Sequence, residues 1–255
     1  MDHYGDDDNR RGRRVFWVIL LALLAAITVA VVVGLGEGDG EKSASPEPTT
    51  DETAPTDRLG ATSDPGRSTT DCPELDRSPT ELPVVAPDVE WRTKGPFTFP
   101  ISVETDGESV NGPAHPAFPG TDTCYARTPL GAAFAAASAS VEILVYESAL
   151  PYLQSRVVGR ERDGLIEQVS QLGPDDFSFG DLTFRIIAFK IVDFSPGRAL
   201  IEVVTRGQDS GGVTSTKAGT RELVWQDGDW KVVLGSEVPE TRDVIDVEAE
   251  GFLTW

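Results

Sequence analysis

TFRIIAFKIVDF (183–194), ALIEVVTR (199–206), VTSTKAGTRELVW (213–225) and WKVVL (230–234) follow one another with only short polar breaks, and their reading decides the fold. In the second segment Ala199, Ile201, Val203 and Thr205 alternate with Leu200, Glu202, Val204 and Arg206, the period-two pattern of a strand with one covered face. The breaks carry turn chemistry: Ser195-Pro196-Gly197, a glycine-rich turn at 209–212, and Asp227-Gly228. Consecutive strands joined this way pair as an antiparallel meander, expected over residues 177–235. Beyond it, residues 236–255 form an acidic, extended tail whose Phe252 and Trp255 dock back.

Upstream the period changes. Thr128 suits a helix cap and Pro129 the first helical position, and LGAAFAAASASVEILVYE (130–147) then sets Leu130, Phe134, Ala137, Val141 and Val145 along one face. Its alanines permit close approach to a sheet. A second short helix is expected from Pro151 to about residue 158 and a third over 163–172, ended by Gly173 and Pro174. Helices over 128–173 followed by a curved antiparallel sheet make an α+β domain.

Residues 72–127 are rich in proline and read as an extended strap lying on the domain. Phe97, Phe99 and Ile101 alternate, so a short edge strand is expected there, with Trp91 helping to press it onto the core. Cys72 and Cys124 are the only cysteines. One bridge between them would staple the strap to the domain and remove about 4 kcal/mol of unfolded-state entropy in the chain-entropy model. Two cysteines and one outer histidine are poor material for a metal site.

Residues 36–71, with SPEPTTDETAPTD at 45–57, cannot bury a core and read as a disordered acidic spacer. Before them VFWVILLALLAAITVAVVVGL (15–35) has no charged residue, matching a bilayer core of about 30 Å, which predicts an uncleaved single transmembrane helix. A cleaved signal peptide would want a shorter apolar run. Arg10, Arg11, Arg13 and Arg14 precede the span and Glu37, Asp39 and Glu41 follow it, so residues 1–14 are expected in the cytoplasm and residues 72–255 outside. The net charge of −20, without a basic patch beyond residue 14, disfavours direct nucleic-acid binding.

RTPLGAAFAAA (127–137), together with VEWRTKGPFTFPIS (89–102), LVWQDGDWKVVL (223–234) and the closing GFLTW (251–255), resembles a family of uncharacterised single-pass membrane proteins of actinobacteria, often found near mobile or conjugative elements. The order of helices and meander is also similar to the cystatin-like cone of nuclear transport factor two and of extracytoplasmic domains in conjugative type IV secretion assembly proteins. Ser195-Pro196-Gly197 echoes only part of the Asn-Pro-x-Gly turn of those secretion proteins. The resemblance implies a cystatin-like cone held outside the membrane, as part of a conjugation or secretion assembly.

In that cone the mouth between helix and sheet is where chemistry would sit, which nominates Glu142, Tyr146, Asp163 and Asp193. Glu142 and Tyr146, four apart, would share a helix face, where a phenol could orient a carboxylate. Trp225 and Trp230 flank the Asp227-Gly228 turn and could stack on a ligand, although cross-strand aromatics commonly hold a hairpin together. Glu142, Tyr146, Trp225 and Trp230 are therefore the candidate pocket residues. His115, in PAHPAFP (113–119), has no nearby nucleophile elbow and reads as a surface loop residue. The glycines at 34, 36, 38 and 40 follow an apolar span rather than a strand and do not form a phosphate loop. No catalytic set, cofactor or metal ligand set is expected. The chain reads as a non-enzymatic, membrane-anchored domain that binds other envelope proteins, or, alternatively, as a cone that binds a small molecule or lipid; self-association is compatible with either.

Overall fold

In a computed structural model of the chain the described residues are 72, 80–105, 108–109, 111–114, 121–209, 211–235 and 241–255. The expected cytoplasmic tail, the span at 15–35, the linker and His115 lie outside them. Among the described residues no helix is long and apolar enough to cross a membrane.

The sheet is a curled half-barrel. Its main strands are β1 (Val89–Lys94), β2 (Phe97–Ser102), β5 (Val157–Val158), β6 (Thr183–Ser195), β7 (Arg198–Gln208), β8 (Thr214–Gln226) and β9 (Asp229–Val233), in the spatial order β1-β2-β6-β7-β8-β9-β5. A separate two-residue pair is formed by β3 (Glu104–Thr105) and β4 (Glu108–Ser109). The strands β6 to β9 do run as the antiparallel meander that the turns demand, through the Asp227-Gly228 hairpin where Trp225 faces Trp230. The expectation of an antiparallel, cystatin-like cone is nevertheless overturned, because the sheet is mixed. β2 lies parallel to β6, and β5 lies parallel to β9.

The β2–β6 pair has a local cause. Strap residues 89–102 fold into the hairpin β1–β2 and enter the sheet next to β6 instead of lying over it, so β2 is an inner strand and β1 takes the edge. Pro100 is tolerated there because β2 bonds β6 only at Phe97 and Thr98, and the missing N–H falls beyond that short ladder. On β6, β11 (Leu253–Thr254) takes the edge that β2 leaves, pairing with Phe189 and Ala188, and β10 (Arg242–Asp243) pairs with β8 at Ala218 and Lys217.

Three α-helices are present among the described residues: α1 (Pro129–Glu142), α2 (Tyr146–Arg156) and α3 (Arg162–Val169), with a 3-10 turn at Pro174–Phe177. In α1 the Thr128 hydroxyl accepts the Gly131 N–H at 3.0 Å and Pro129 opens the helix. It is not amphipathic. Every residue except Leu130 is buried, as befits a helix laid inside a curled sheet. Gly131 is required for this seat, since a Cβ there would stand 2.0 Å from the Ala126 carbonyl oxygen. The helix stops at Glu142, earlier than its apolar pattern, because 143–145 turn the chain. Helix α2 then starts well before Pro151, which it accommodates internally, and residues 157–158 leave it as strand β5.

The inner face carries the main core, with Phe99, Phe134, Phe189, Ile201, Leu223 and Trp230 fully covered. On the outer face a smaller cluster forms where Val244 and Phe252 of the tail cover Ala188, Val204 and Ala218. Trp255 ends between Phe189, at a centroid distance of 4.2 Å, and Phe134 at 4.7 Å.

Candidate functional site

The C-terminal end of α1 carries Glu142 into the interior, where Lys94 of β1 donates to Glu142 Oε1 at 2.5 Å and to Asp122 Oδ1 at 3.5 Å. Arg92 adds a hydrogen bond to Asp122 Oδ1 at 3.0 Å, and the Asp122 backbone N–H donates to Glu142 Oε1 at 3.2 Å. Lys94, Asp122 and Glu142 are all fully buried. Burial pushes the Glu142 carboxyl above its ordinary range, and the Lys94 ammonium offsets part of that rise. The group ties the strap, the first sheet edge and α1 together. Its ions are answered by one another.

A second buried hub sits at the start of β9. Asp229 forms an ion pair with Arg156 of α2 and accepts N–H groups from Cys124 at 2.7 Å, Tyr125 at 3.1 Å and Trp230 at 2.8 Å. Cys124 has a φ of 67°, a left-handed conformation that turns two successive N–H groups onto one carboxylate. Cys72 and Cys124 are joined as a disulfide. Cys72, Cys124 and Asp229 lie close together, yet the sulfurs are bonded to each other and the carboxylate is saturated by Arg156 and three N–H donors, so the trio does not make a metal centre.

The four sequence-predicted pocket residues are not gathered into one cleft. Glu142 belongs to the interior hub, whereas Tyr146 starts the next helix, is exposed, and meets Phe177 edge-on at 5.6 Å. The i,i+4 pairing fails because α1 ends between them. Trp225 and Trp230 form a T-shaped pair at 5.3 Å; the Trp230 indole N–H donates to the Ala126 carbonyl, and Arg127 lies 5.4 Å over Trp225. They hold the hairpin to the strap. Asp163 and Asp193 are exposed on α3 and β6 and do not meet.

A candidate site appears instead on the outer face. Arg185 of β6 and Arg206 of β7 are direct cross-strand partners, and both are exposed. Like charges placed opposite each other on a sheet are destabilising. Among the described residues neither forms an ion pair, in a chain with 42 acidic residues. The Arg185 guanidinium lies 3.8 Å over the ring of Trp91, which fixes its plane. The row continues through Thr98 and Thr93 on one side and Thr216 on the other.

An open groove of about 650 Å³ runs from this pair, with Trp91, Trp255 and the 98 % exposed Ile245 along it. Asp246 and Glu248 line the groove too, and Asp246 is engaged by the N–H groups of Glu248 and Ala249. A second groove, of about 550 Å³, opens from the same two arginines toward Thr93, Gly95 and Gln208. Two guanidinium groups side by side, one stacked on an indole, can hold a carboxylate or phosphate in two-point fashion. Sequence reading missed the pair because only the β6–β7 register brings residues 185 and 206 together.

A family model described as a domain of unknown function (DUF8175) matches residues 53–253, and the chain belongs to that family. No curated protein and no solved structure matches the chain.

Proposed function

We propose that this member of the family is a docking module of the cell envelope, and that the outer-face groove around Arg185 and Arg206 seats an acidic segment of another envelope protein. The observation that carries the reading is the cross-strand arginine pair without a carboxylate partner among the described residues. Its charges weaken the fold where they stand, and an anionic group from outside would relieve them. Trp91, Ile245 and Trp255 supply the apolar contact area, and tryptophan and arginine are the residue types that dominate binding energy at interfaces. The overall charge of −20 does not forbid an acidic partner, since charges more than about 8 Å apart are screened at physiological salt.

The apolar run at 15–35 and the arginines before it support attachment as a single-pass membrane protein with residues 72–255 outside the cytoplasm. A disulfide in the folded part agrees with an oxidising compartment. The resemblance to actinobacterial proteins encoded near conjugative elements makes a secretion or conjugation assembly the proposed host of this contact.

A photo-crosslinking residue placed at Thr98, beside the pair, tests the reading in intact cells. The wild type should yield a discrete crosslinked partner, and the Arg185→Glu/Arg206→Glu variant should lose it while keeping its thermal transition. An unchanged crosslinking pattern in the double variant refutes the site.

A further inference from the structure

The inner face has a space of its own. Phe184, Gly207 and Ser215 form one cross-strand row of β6, β7 and β8, and Ile186, Thr205 and Lys217 form the next. Val203 and Gly219 face each other one row further on, followed by Ile201 and Arg221. Two inward positions of these long strands are therefore glycine. With no side chain there, and with α1 ending at Ser140 to Glu142, the sheet and helix do not close on each other. A cavity of about 200 Å³ remains, walled by Phe97, Phe179, Phe184 and Leu144 on its apolar side. Glycine inside a strand commonly marks a close approach of another group.

Arg221 lines that cavity. A Cβ on Gly219 would stand 3.1 Å from Arg221 Nη1, so the glycine is what lets the guanidinium lie along the sheet. Nη1 donates to the Thr220 carbonyl at 2.9 Å, and among the described residues no carboxylate forms an ion pair with Arg221. Burial lowers its basicity from the ordinary arginine value, with only the Tyr152 phenol nearby as partial compensation. The other cation of the cavity, Lys217, is already met by Asp243 at 2.7 Å. The Ser140 hydroxyl is also engaged, donating to the Ala136 carbonyl.

We propose that this cavity is a binding site for a small monocarboxylate bearing an aromatic ring or short branched chain, its carboxylate held by Arg221 and its apolar part by Phe97, Phe179, Phe184 and Leu144. This site lies on the opposite face from the Arg185–Arg206 groove and stands independently of the docking reading. The size fits: a cavity of about 150 Å³ accepts benzene, and the remaining space takes a carboxylate. A free phosphate fits less well, because it would leave the apolar wall of Phe97, Phe179, Phe184 and Leu144 without a partner.

Titration of the ¹⁵N-labelled protein with sodium phenylacetate, followed by NMR, tests the proposal. A ligand of about ten heavy atoms with one charge-assisted contact should bind with a dissociation constant on the order of 1 mM, and shifts should concentrate at Phe184, Gly207, Gly219 and Arg221. Arg221→Gln should weaken binding by roughly tenfold or more while leaving the thermal transition in place. The neutral analogue 2-phenylethanol and the small anion acetate should each bind at least about tenfold more weakly than phenylacetate, since each lacks half of the recognition. Arg185→Gln/Arg206→Gln should bind phenylacetate as the wild type does. Equal affinity in Arg221→Gln, shifts confined to the outer face, or a dissociation constant above about 10 mM overturns the proposal.

Discussion

Removing the Asp229 carboxylate should be among the most damaging single changes in the molecule. Asp229→Ala strips the counterion from Arg156, which is 4 % exposed, and leaves the Cys124 and Tyr125 N–H groups without their acceptor. Taking one partner from a buried ion pair costs about 3–5 kcal/mol, because the other charge stays desolvated. Each stranded buried N–H adds about 1–3 kcal/mol, though these losses overlap as the segment relaxes. A total of about 5 kcal/mol is a large part of the 5–15 kcal/mol by which domains are stable.

Guanidinium chloride unfolding of the oxidised protein, followed by tryptophan fluorescence, reads this directly. With a slope of about 4 kcal/mol per molar, the midpoint should fall by about 1 M. Arg156→Met/Asp229→Leu removes both charges together and should recover roughly 2 kcal/mol or more relative to the sum of the two single changes. A loss below about 1.5 kcal/mol for Asp229→Ala, or strict additivity in the double variant, would refute the claim that this pair works as a unit.

Charge reversal at one member of the outer-face pair, Arg206→Glu, should raise stability by about 0.2–1 kcal/mol by turning a cross-strand repulsion into an attraction; calorimetric melting of wild type and variant measures it. Replacing Cys72 and Cys124 by serine opens a loop spanned by a separation of 52 residues and should cost about 4 kcal/mol, read as a shift in denaturation midpoint. Glu142→Gln tests the interior network through pH. Because burial raises the Glu142 pKa in the folded state, the native carboxyl holds its proton where the unfolded one has lost it, so the wild type loses stability relative to Glu142→Gln as pH rises from about 4 through the raised value. Melting temperatures of both proteins between pH 4 and 8 should diverge in that direction; a constant difference would remove the assignment.

The turn residues and the period-two strands made the meander legible, and Thr128-Pro129 placed the start of α1. What stayed hidden has a common cause: local pattern carries no information about which edges meet. The FTFPIS segment reads as a short edge strand from the alternation of Phe97, Phe99 and Ile101, yet it lies inside the sheet, where the short β2–β6 ladder leaves room for Pro100. The apolar pattern runs on past Glu142, yet the helix ends there and its last side chain engages Lys94, which is 48 residues away in sequence. The hairpin tryptophans stand out in the sequence, but their role rests on a contact it does not show, the Trp230 indole N–H donating to the Ala126 carbonyl. Arg185, Arg206 and Arg221 looked like ordinary polar positions of alternating strands.

The same register that hid those arginines also sorts the charges of this protein into two kinds. Asp229 with Arg156, and Glu142 with Lys94, are buried and paired with each other, so deleting one member should cost stability. Arg185 and Arg206 repel each other, and Arg221 sits partly buried without a counterion among the described residues, so replacing any of them should leave the fold as stable as before or more so. Residues that a fold would be better without are those whose compensation comes from a bound group. A stability scan over the seven positions therefore separates the interior scaffold from the binding surfaces before any ligand is known. If Arg206→Gln proves as destabilising as Asp229→Ala, that arginine is structural and the docking proposal falls; if Arg221→Gln does, the carboxylate-site proposal falls.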